Sequence, residues 1–205
     1  LIVPSWYPTV MHPESGSFFK DQAHILKNEG MDIIVAVPVM HSLKDGFRFI
    51  NYKKNSFLLD NGLPINLIEF INIFPKMKVL QFKRYKKYVI SLFKQVIRAN
   101  GMPDVVFVNS SIFAGASLAE ICCQLSIPLI ISEHLKEFLV SNGFSKFNQT
   151  LIANTYESCS AIIATSSVLK NSIVNLFPNA KSKISIIPNP VNEEIFIQKV
   201  QNINK

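Results

Sequence analysis

Apolar residues in this chain fall into short continuous runs, separated by segments where they recur every three or four positions. The runs are "LIV" at 1–3, "DIIVAV" at 32–37, "PDVVFVN" at 103–109, "IPLIISEH" at 127–134, "AIIATS" at 161–166 and "KISIIPNPV" at 183–191. Strand-length runs rich in Val and Ile are the pattern of strands buried on both faces. Helical spacing is predicted over 17–29, 76–99, 111–126, 146–159 and 167–177. The first of these opens beside Gly16 and closes at Gly30, a C-terminal stop signal. The longest carries Phe82, Tyr85, Val89, Leu92 and Val96 at helical spacing. From 41 to 75 the pattern is less regular, but "FLLDNGLPINLIEF" places Asn61-Gly62 between apolar runs, a hairpin signal. Pro64 is expected to put the second hairpin strand at a sheet edge.

Strands alternating with helices imply right-handed crossovers, hence an α/β fold: a doubly wound, mainly parallel sheet with helices on both faces. Ligands of such sheets sit beyond the carboxyl ends of the strands. That singles out four loops: "MHPESGS" (11–17), "VNSSIF" (108–113), "ISEHLKEF" (131–138) and "IPNPVN" (187–192).

Composition narrows the class. With 205 residues, 48% hydrophobic and 17% charged, one substantial core is expected. The longest apolar runs fall short of the ~20 residues of a membrane span. The chain opens with Leu1, so the first few residues of the protein are expected to be missing. Three cysteines, Cys122, Cys123 and Cys159, form no metal-binding pattern. Buried thiols in a reducing cytoplasm are the expectation, which makes the N-x-S/T triplets at Asn109 and Asn148 chance matches. Net charge is +7, and it is uneven: 70–103 holds no Asp or Glu, while Lys83, Arg84, Lys86, Lys87 and four further cations lie there. Phe82, Tyr85, Tyr88 and Phe93 interleave these cations, as in helices lying on anionic membranes. A solvated face is the plainer reading. Nucleic acid would suit the charge, but no nucleic-acid motif accompanies it.

In the first loop, Gly16 and Ser17 open a helix, where backbone N–H groups and the helix dipole favour an anion. The plainer alternative is that Ser15 or Ser17 caps the helix and Gly16 makes a turn. His134 follows a strand end beside Glu133 and Ser132, aimed by the fold rule at the crevice. No Ser/His/acid or Cys/His spacing is present, so nucleophilic hydrolysis is unsupported.

Taken in order, "SWYP", "ESGSFFKDQAHILKNEGMDIIVAVP", "PDVVFVNSSIFAGASLAEICCQLSIPLIISEH", "AIIATSSVLKNSI" and "ISIIPNPVNEEIF" resemble the retaining glycosyltransferases of family 4. Those enzymes have the GT-B fold, two Rossmann-like domains facing across a cleft, and the resemblance is to the N-terminal, acceptor-side domain. It implies that 1–188 form that domain, that 189–205 begin the interdomain linker, and that the second domain is absent from this chain. It places Gly16, Ser17 and Ser15 at the diphosphate of a nucleotide-sugar donor and makes His134 the residue at the transferred sugar. Glu133, Ser132 and Ser110 are expected at the acceptor, and Lys83, Arg84, Lys86 and Lys87 at an anionic membrane surface. The family's front-face reaction uses the leaving diphosphate to deprotonate the acceptor, so neither a protein nucleophile nor a metal or other cofactor is expected. "PNPVN" carries Pro190 and Asn192 where the family has Gly and Asp, and "ESGSF" lacks the family's double glycine and basic residue.

The function implied is transfer of a sugar to a saccharide, lipid-linked by expectation, in surface polysaccharide or lipopolysaccharide synthesis. It would proceed in the cytoplasm at the inner membrane face, by this domain together with its missing partner. Two alternatives are a non-catalytic carbohydrate- or membrane-binding module, and a GT-B sugar-nucleotide epimerase using Glu133 and Glu14.

Overall fold

The computed structural model describes residues 1–10, 12–43 and 53–190. Eight strands are present among them: β1 (Ile2–Pro4), β2 (Val35–His41), β3 (Lys53–Asp60), β4 (Leu63–Ile71), β5 (Val106–Asn109), β6 (Leu129–Glu133), β7 (Ala161–Ala164) and β8 (Ile184–Ile186). They form one sheet in the order β3-β4-β2-β1-β5-β6-β7-β8, parallel throughout except for β3. The helices are α1 (Ser17–Asn28), α2 (Lys78–Asn100), α3 (Ala116–Gln124), α4 (Lys146–Ser158) and α5 (Ser167–Leu176). The expected Rossmann-like, doubly wound α/β architecture is therefore what the chain adopts. Strand order reverses between β1 and β5, and at such a switch point the two following loops diverge and leave a crevice.

Strand alternation sorts the core onto the two sheet faces. Ala23 of α1 packs with Val35, Val37, Leu63, Ile65 and Leu67 on one face. Ala36, Ile68 and Phe70 point the other way, into the core built with α2, α3, α4 and α5.

Asn61-Gly62 makes the predicted hairpin: Asp60 pairs with Leu63, and both turn residues have positive φ (47° and 76°). Pro64 does not mark an edge. β4 lies between β3 and β2, and the edge strand is β3. Parallel pairing with β2 starts only at Val35↔Ile65, so Pro64 precedes the ladder in which its missing N–H would matter. The helix expected over 111–126 is also corrected. It starts at Ala116, after a wide π-type turn, Ser111–Gly115, with Ser110 at φ 91° and Phe113 at φ 59°. Cys122 and Cys159 are buried as expected, but Cys123 is exposed. Asn109 is wholly buried.

The carboxyl end of α4 is closed from a distance. Lys183 Nζ donates to the carbonyls of Tyr156 (2.9 Å), Glu157 (2.7 Å) and Cys159 (2.8 Å). A cation here satisfies the last carbonyls of the helix and complements its dipole. Lys183→Met keeps the stem but loses these bonds, each of the charge-assisted kind. A loss of about 2 kcal/mol is expected, read as a lower urea midpoint with unchanged slope.

Candidate functional site

The loops after β1, β5 and β6 meet at the carboxyl edge of the sheet. α1 begins at Gly16, whose φ of 70° is left-handed, and no side chain caps it. Ser15 and Ser17 therefore do not take the capping role. A Cβ at Gly16 would lie 2.5 Å from the Trp6 carbonyl oxygen, so the close approach that requires glycine is made by the protein's own backbone. No side chain takes the N–H groups of the first turn of α1, while the Phe19 N–H donates to the Gly16 carbonyl at 3.0 Å.

His134, just past β6, is brought against that helix start. Its ring centroid lies 5.1 Å from that of Phe18 and 4.9 Å, edge-on, from that of Phe19. Phe19 in turn stacks on Trp6 at 6.5 Å. Nε2 of His134 and the Ser132 hydroxyl are 2.9 Å apart. Burial among these rings pushes the imidazole pKa down to about 4, so the ring is neutral at pH 7.

Glu133 points to the opposite face of β6 and is completely buried. Its Oε1 accepts from the Ser111 N–H and from the Tyr156 hydroxyl, both at 2.9 Å, while Oε2 has no partner. Burial holds its carboxyl above the usual carboxylate range, against the lowering effect of these donors. Ser110 is also wholly buried, its hydroxyl accepting from the Ile112 N–H. Glu133 and Ser110, with the Ser5 hydroxyl accepting from the Ala114 N–H, do for the 111–115 turn what helical bonding does elsewhere. Gly115 completes it, since a Cβ there would lie 2.8 Å from the Ser110 carbonyl oxygen. Of the three residues expected at the acceptor, Ser132 reaches the crevice only through His134, and Ser110 and Glu133 support the turn.

Two cavities open along this edge. One, of about 150 Å³, lies beyond β1 and β2 and is lined by Ser5, Tyr7, Ser15, His41, Tyr85 and Phe113 among others. The second, of about 320 Å³, lies between the starts of α2 and α4, with Phe82, Phe144 and Phe147 inside and Lys78, Gln81, Glu137 and Asn148 among its polar residues. Trp6 and Phe113 line both. Trp6, His41, Tyr85 and Phe113 were not singled out as site residues from sequence. The strand-end rule that picked out His134 applies equally to His41, the last residue of β2, but the irregular pattern after it hid that strand end.

The aromatic residues of the basic helix α2 do not share a surface with its cations. Phe82, Tyr85 and Phe93 are buried in the core and Tyr88 stacks on Phe70 at 4.3 Å, so the aromatics face inward. Arg84 donates to the Ile71 carbonyl (2.8 Å) and lies over the Tyr88 ring (5.2 Å). Lys86 pairs with Glu120 of α3 at 2.9 Å, a counter-charge from outside the all-basic segment. Lys83 and Lys87 remain exposed. Among the described residues no helix is long and apolar enough to cross a membrane, and no group of three or more His, Cys, Asp and Glu could hold a metal ion. Val191 and Asn192 of the fourth loop, and the 191–205 part of the expected linker, lie outside the described residues.

Residues 59–195 match the profile of Glycosyltransferase Family 4. No curated protein sequence matches the chain. Among solved structures, LpCGTa in complex with UDP is 12% identical at a TM-score of 0.53, over 93% of this chain and 53% of that one. Arabidopsis thaliana UGT89C1 complexed with UDP-L-rhamnose is 16% identical at a TM-score of 0.57, over 93% of this chain and 49% of that one. This chain thus spans about half the length of those proteins, and at such identities the likeness is one of fold.

Proposed function

The chain belongs to glycosyltransferase family 4, and on that premise we propose that it forms the acceptor-side half of a retaining glycosyltransferase that uses a nucleotide-diphosphate sugar. Residues 1–188 serve as the acceptor-side domain, and 189–205 lead toward a donor-binding domain that completes the cleft. The observation that carries this reading is the convergence at one sheet edge of the Gly16 helix start, neutral His134 and two cavities joined at Trp6 and Phe113. Binding of UDP or a UDP-sugar by fold relatives supports the donor class.

In the reaction the donor C1–O bond breaks, the acceptor oxygen forms the new bond on the same face, and the departing diphosphate takes the acceptor proton. The N–H groups at the start of α1, with Ser15 and Ser17 beside them, stabilise the diphosphate. His134 holds one ring nitrogen on Ser132 and turns the other to the transferred sugar. No metal enters this scheme. The acceptor is a saccharide, lipid-linked in surface polysaccharide or lipopolysaccharide synthesis. Exposed Lys83 and Lys87, with Arg84 and Lys86 behind them, attach the protein to the inner membrane face.

The test is nucleoside diphosphate release by the full-length protein, with a panel of sugar donors and membrane extract as acceptor source. Turnover is expected for one donor, unchanged by EDTA, with the product's anomeric configuration matching the donor's by NMR. An inverted product removes the retaining assignment, and absence of turnover with every donor removes the transferase.

A further inference from the structure

Among the described residues the sheet ends at β3, and no charge, proline or bulge guards the middle of that edge. β3 runs eight residues, longer than the ~5–6 of an ordinary strand, and pairs with β4 without interruption from Lys53↔Phe70 to Asp60↔Leu63. The backbone N–H and C=O groups on its other side are a template for a further strand, which edges commonly blunt with a central lysine, a proline or a bulge. Here 55–59 reads Asn-Ser-Phe-Leu-Leu, and Phe57, Leu58 and Leu59 are 61%, 52% and 65% exposed. Side chains alternate between the sheet faces. Lys53, Asn55, Phe57 and Leu59 share the α2 face, where Asn55 donates to Gln95. Lys54, Ser56, Leu58 and Asp60 share the α1 face, where Asp60 meets Lys20 and His24. Apolar surface is thus open on both faces of the edge, a feature that marks an interaction site.

The order of charges selects the partner. Two cations, Lys53 and Lys54, stand at the start of β3, and an anion, Asp60, at its end. An antiparallel strand matching this edge needs an apolar centre, an anion opposite Lys54 and a cation opposite Asp60. β3 itself meets that description. We propose that β3 is a homodimer interface: two copies of the chain pair their β3 strands antiparallel about a twofold axis at Phe57, joining their eight-stranded sheets into one. Such an axis is perpendicular to the sheet, so only registers that oppose residues of the same face are admitted. With Phe57 opposite its own copy, Lys54 falls opposite Asp60 of the second copy, and Ser56 opposite Leu58. Opposed aromatic and opposite-charge pairs both stabilise a ladder, and Leu59 reaches the second Phe57 diagonally. The charges are available for this. Lys20 and His24 both meet Oδ2 of Asp60, which leaves Oδ1, and Lys54 holds Glu69 only at 3.8 Å. β4 and β2 stand between this edge and β1, and the inference does not rest on the transferase reading.

Light scattering on the full-length protein, after size exclusion, is expected to give twice the mass of the chain for wild type. Phe57→Lys sets two cations against each other across the axis. It is expected to give the single-chain mass at the same concentration, with its far-UV circular dichroism unchanged. Phe57→Cys tests the register without added charge, in a Cys123→Ser background that removes the exposed thiol. Oxidation by copper phenanthroline is expected to link it into a disulfide dimer. Asn55→Cys should stay unlinked, because its two copies lie about 14 Å apart along the strands. Where Phe57→Lys loses its fold, the cysteine pair alone decides. A single-chain mass for wild type overturns the interface. So does a dimer that survives Phe57→Lys, or a Phe57→Cys variant that stays unlinked, since another surface would then hold the copies together. A Phe57-dependent complex that contains a different protein also overturns it, and gives the edge to a foreign strand.

Discussion

Gly16→Ala is expected to cost about 3 kcal/mol and to lower the thermal midpoint by roughly 6–12 °C, at the 2–4 °C per kcal/mol typical of a domain this size. Two effects add. An L-residue at φ 70° carries a backbone penalty of ~1–2 kcal/mol. The new Cβ must also clear the Trp6 carbonyl oxygen and carbon, which would lie 2.5 and 2.7 Å away. Both are backbone atoms and cannot yield by a rotamer change. Either the loop after β1 or the start of α1 has to move, and with it the stacking of Trp6 on Phe19 and the edge-on contact of Phe19 with His134. The variant should therefore lose transfer activity by more than its folded fraction accounts for. Calorimetry beside an activity assay at a temperature where the variant is fully folded would show this. Full activity there would mean the crevice does not depend on this contact.

His134→Ala in the full-length protein is expected to lower kcat/KM at least ~100-fold, about 2.7 kcal/mol of transition-state stabilisation. The pH dependence has a definite sign. With its folded pKa depressed to about 4 from 6.5, His134 contributes stability that is complete above about pH 6.5 and is lost as pH falls toward 4, because only the unfolded chain gains the proton in that window. Allowing for partial exposure of the ring, the effect is on the order of 2 kcal/mol. His134→Gln should flatten the stability profile between pH 7 and 4.5 by about that amount. An unchanged profile would mean that His134 binds its proton alike in the folded and unfolded chain, and that its burial among the rings does not depress its pKa. Glu133 acts in the opposite direction. Its raised folded pKa gives stability that is full below about pH 4.5 and declines as pH rises through the folded value.

Most of the architecture was legible because it rests on local chemistry. Ile and Val runs mark doubly buried strands, Gly30 stops α1 and Asn61-Gly62 turns the hairpin, each through properties confined to a few neighbouring residues. What failed depended on partners distant in sequence. Nothing within 111–126 says that Glu133 takes the Ser111 N–H and unwinds the first helical turn. The all-basic segment gives no hint that Glu120 stands opposite Lys86. Helical spacing identified Phe82, Tyr85, Val89, Leu92 and Val96 as one face, and all five are buried. Reading Phe82 and Tyr85 as membrane anchors as well asked one face to point two ways. At the site, the strand-end rule was enough to single out His134, which packs against Phe18 and Phe19 at the start of α1. The Tyr85 cavity was invisible, because it is assembled from the loop after β1, from β2, from α2 and from the 111–115 turn.

Trp6 is the only tryptophan in the chain, and it borders both cavities while stacking on Phe19. These 205 residues thus carry one indole fluorophore, placed where the two cavities adjoin. A ligand entering either cavity would displace water from that indole or tilt it against Phe19. Occupancy becomes readable as a change in emission from a single origin, in unlabelled protein, before any donor or acceptor has been identified.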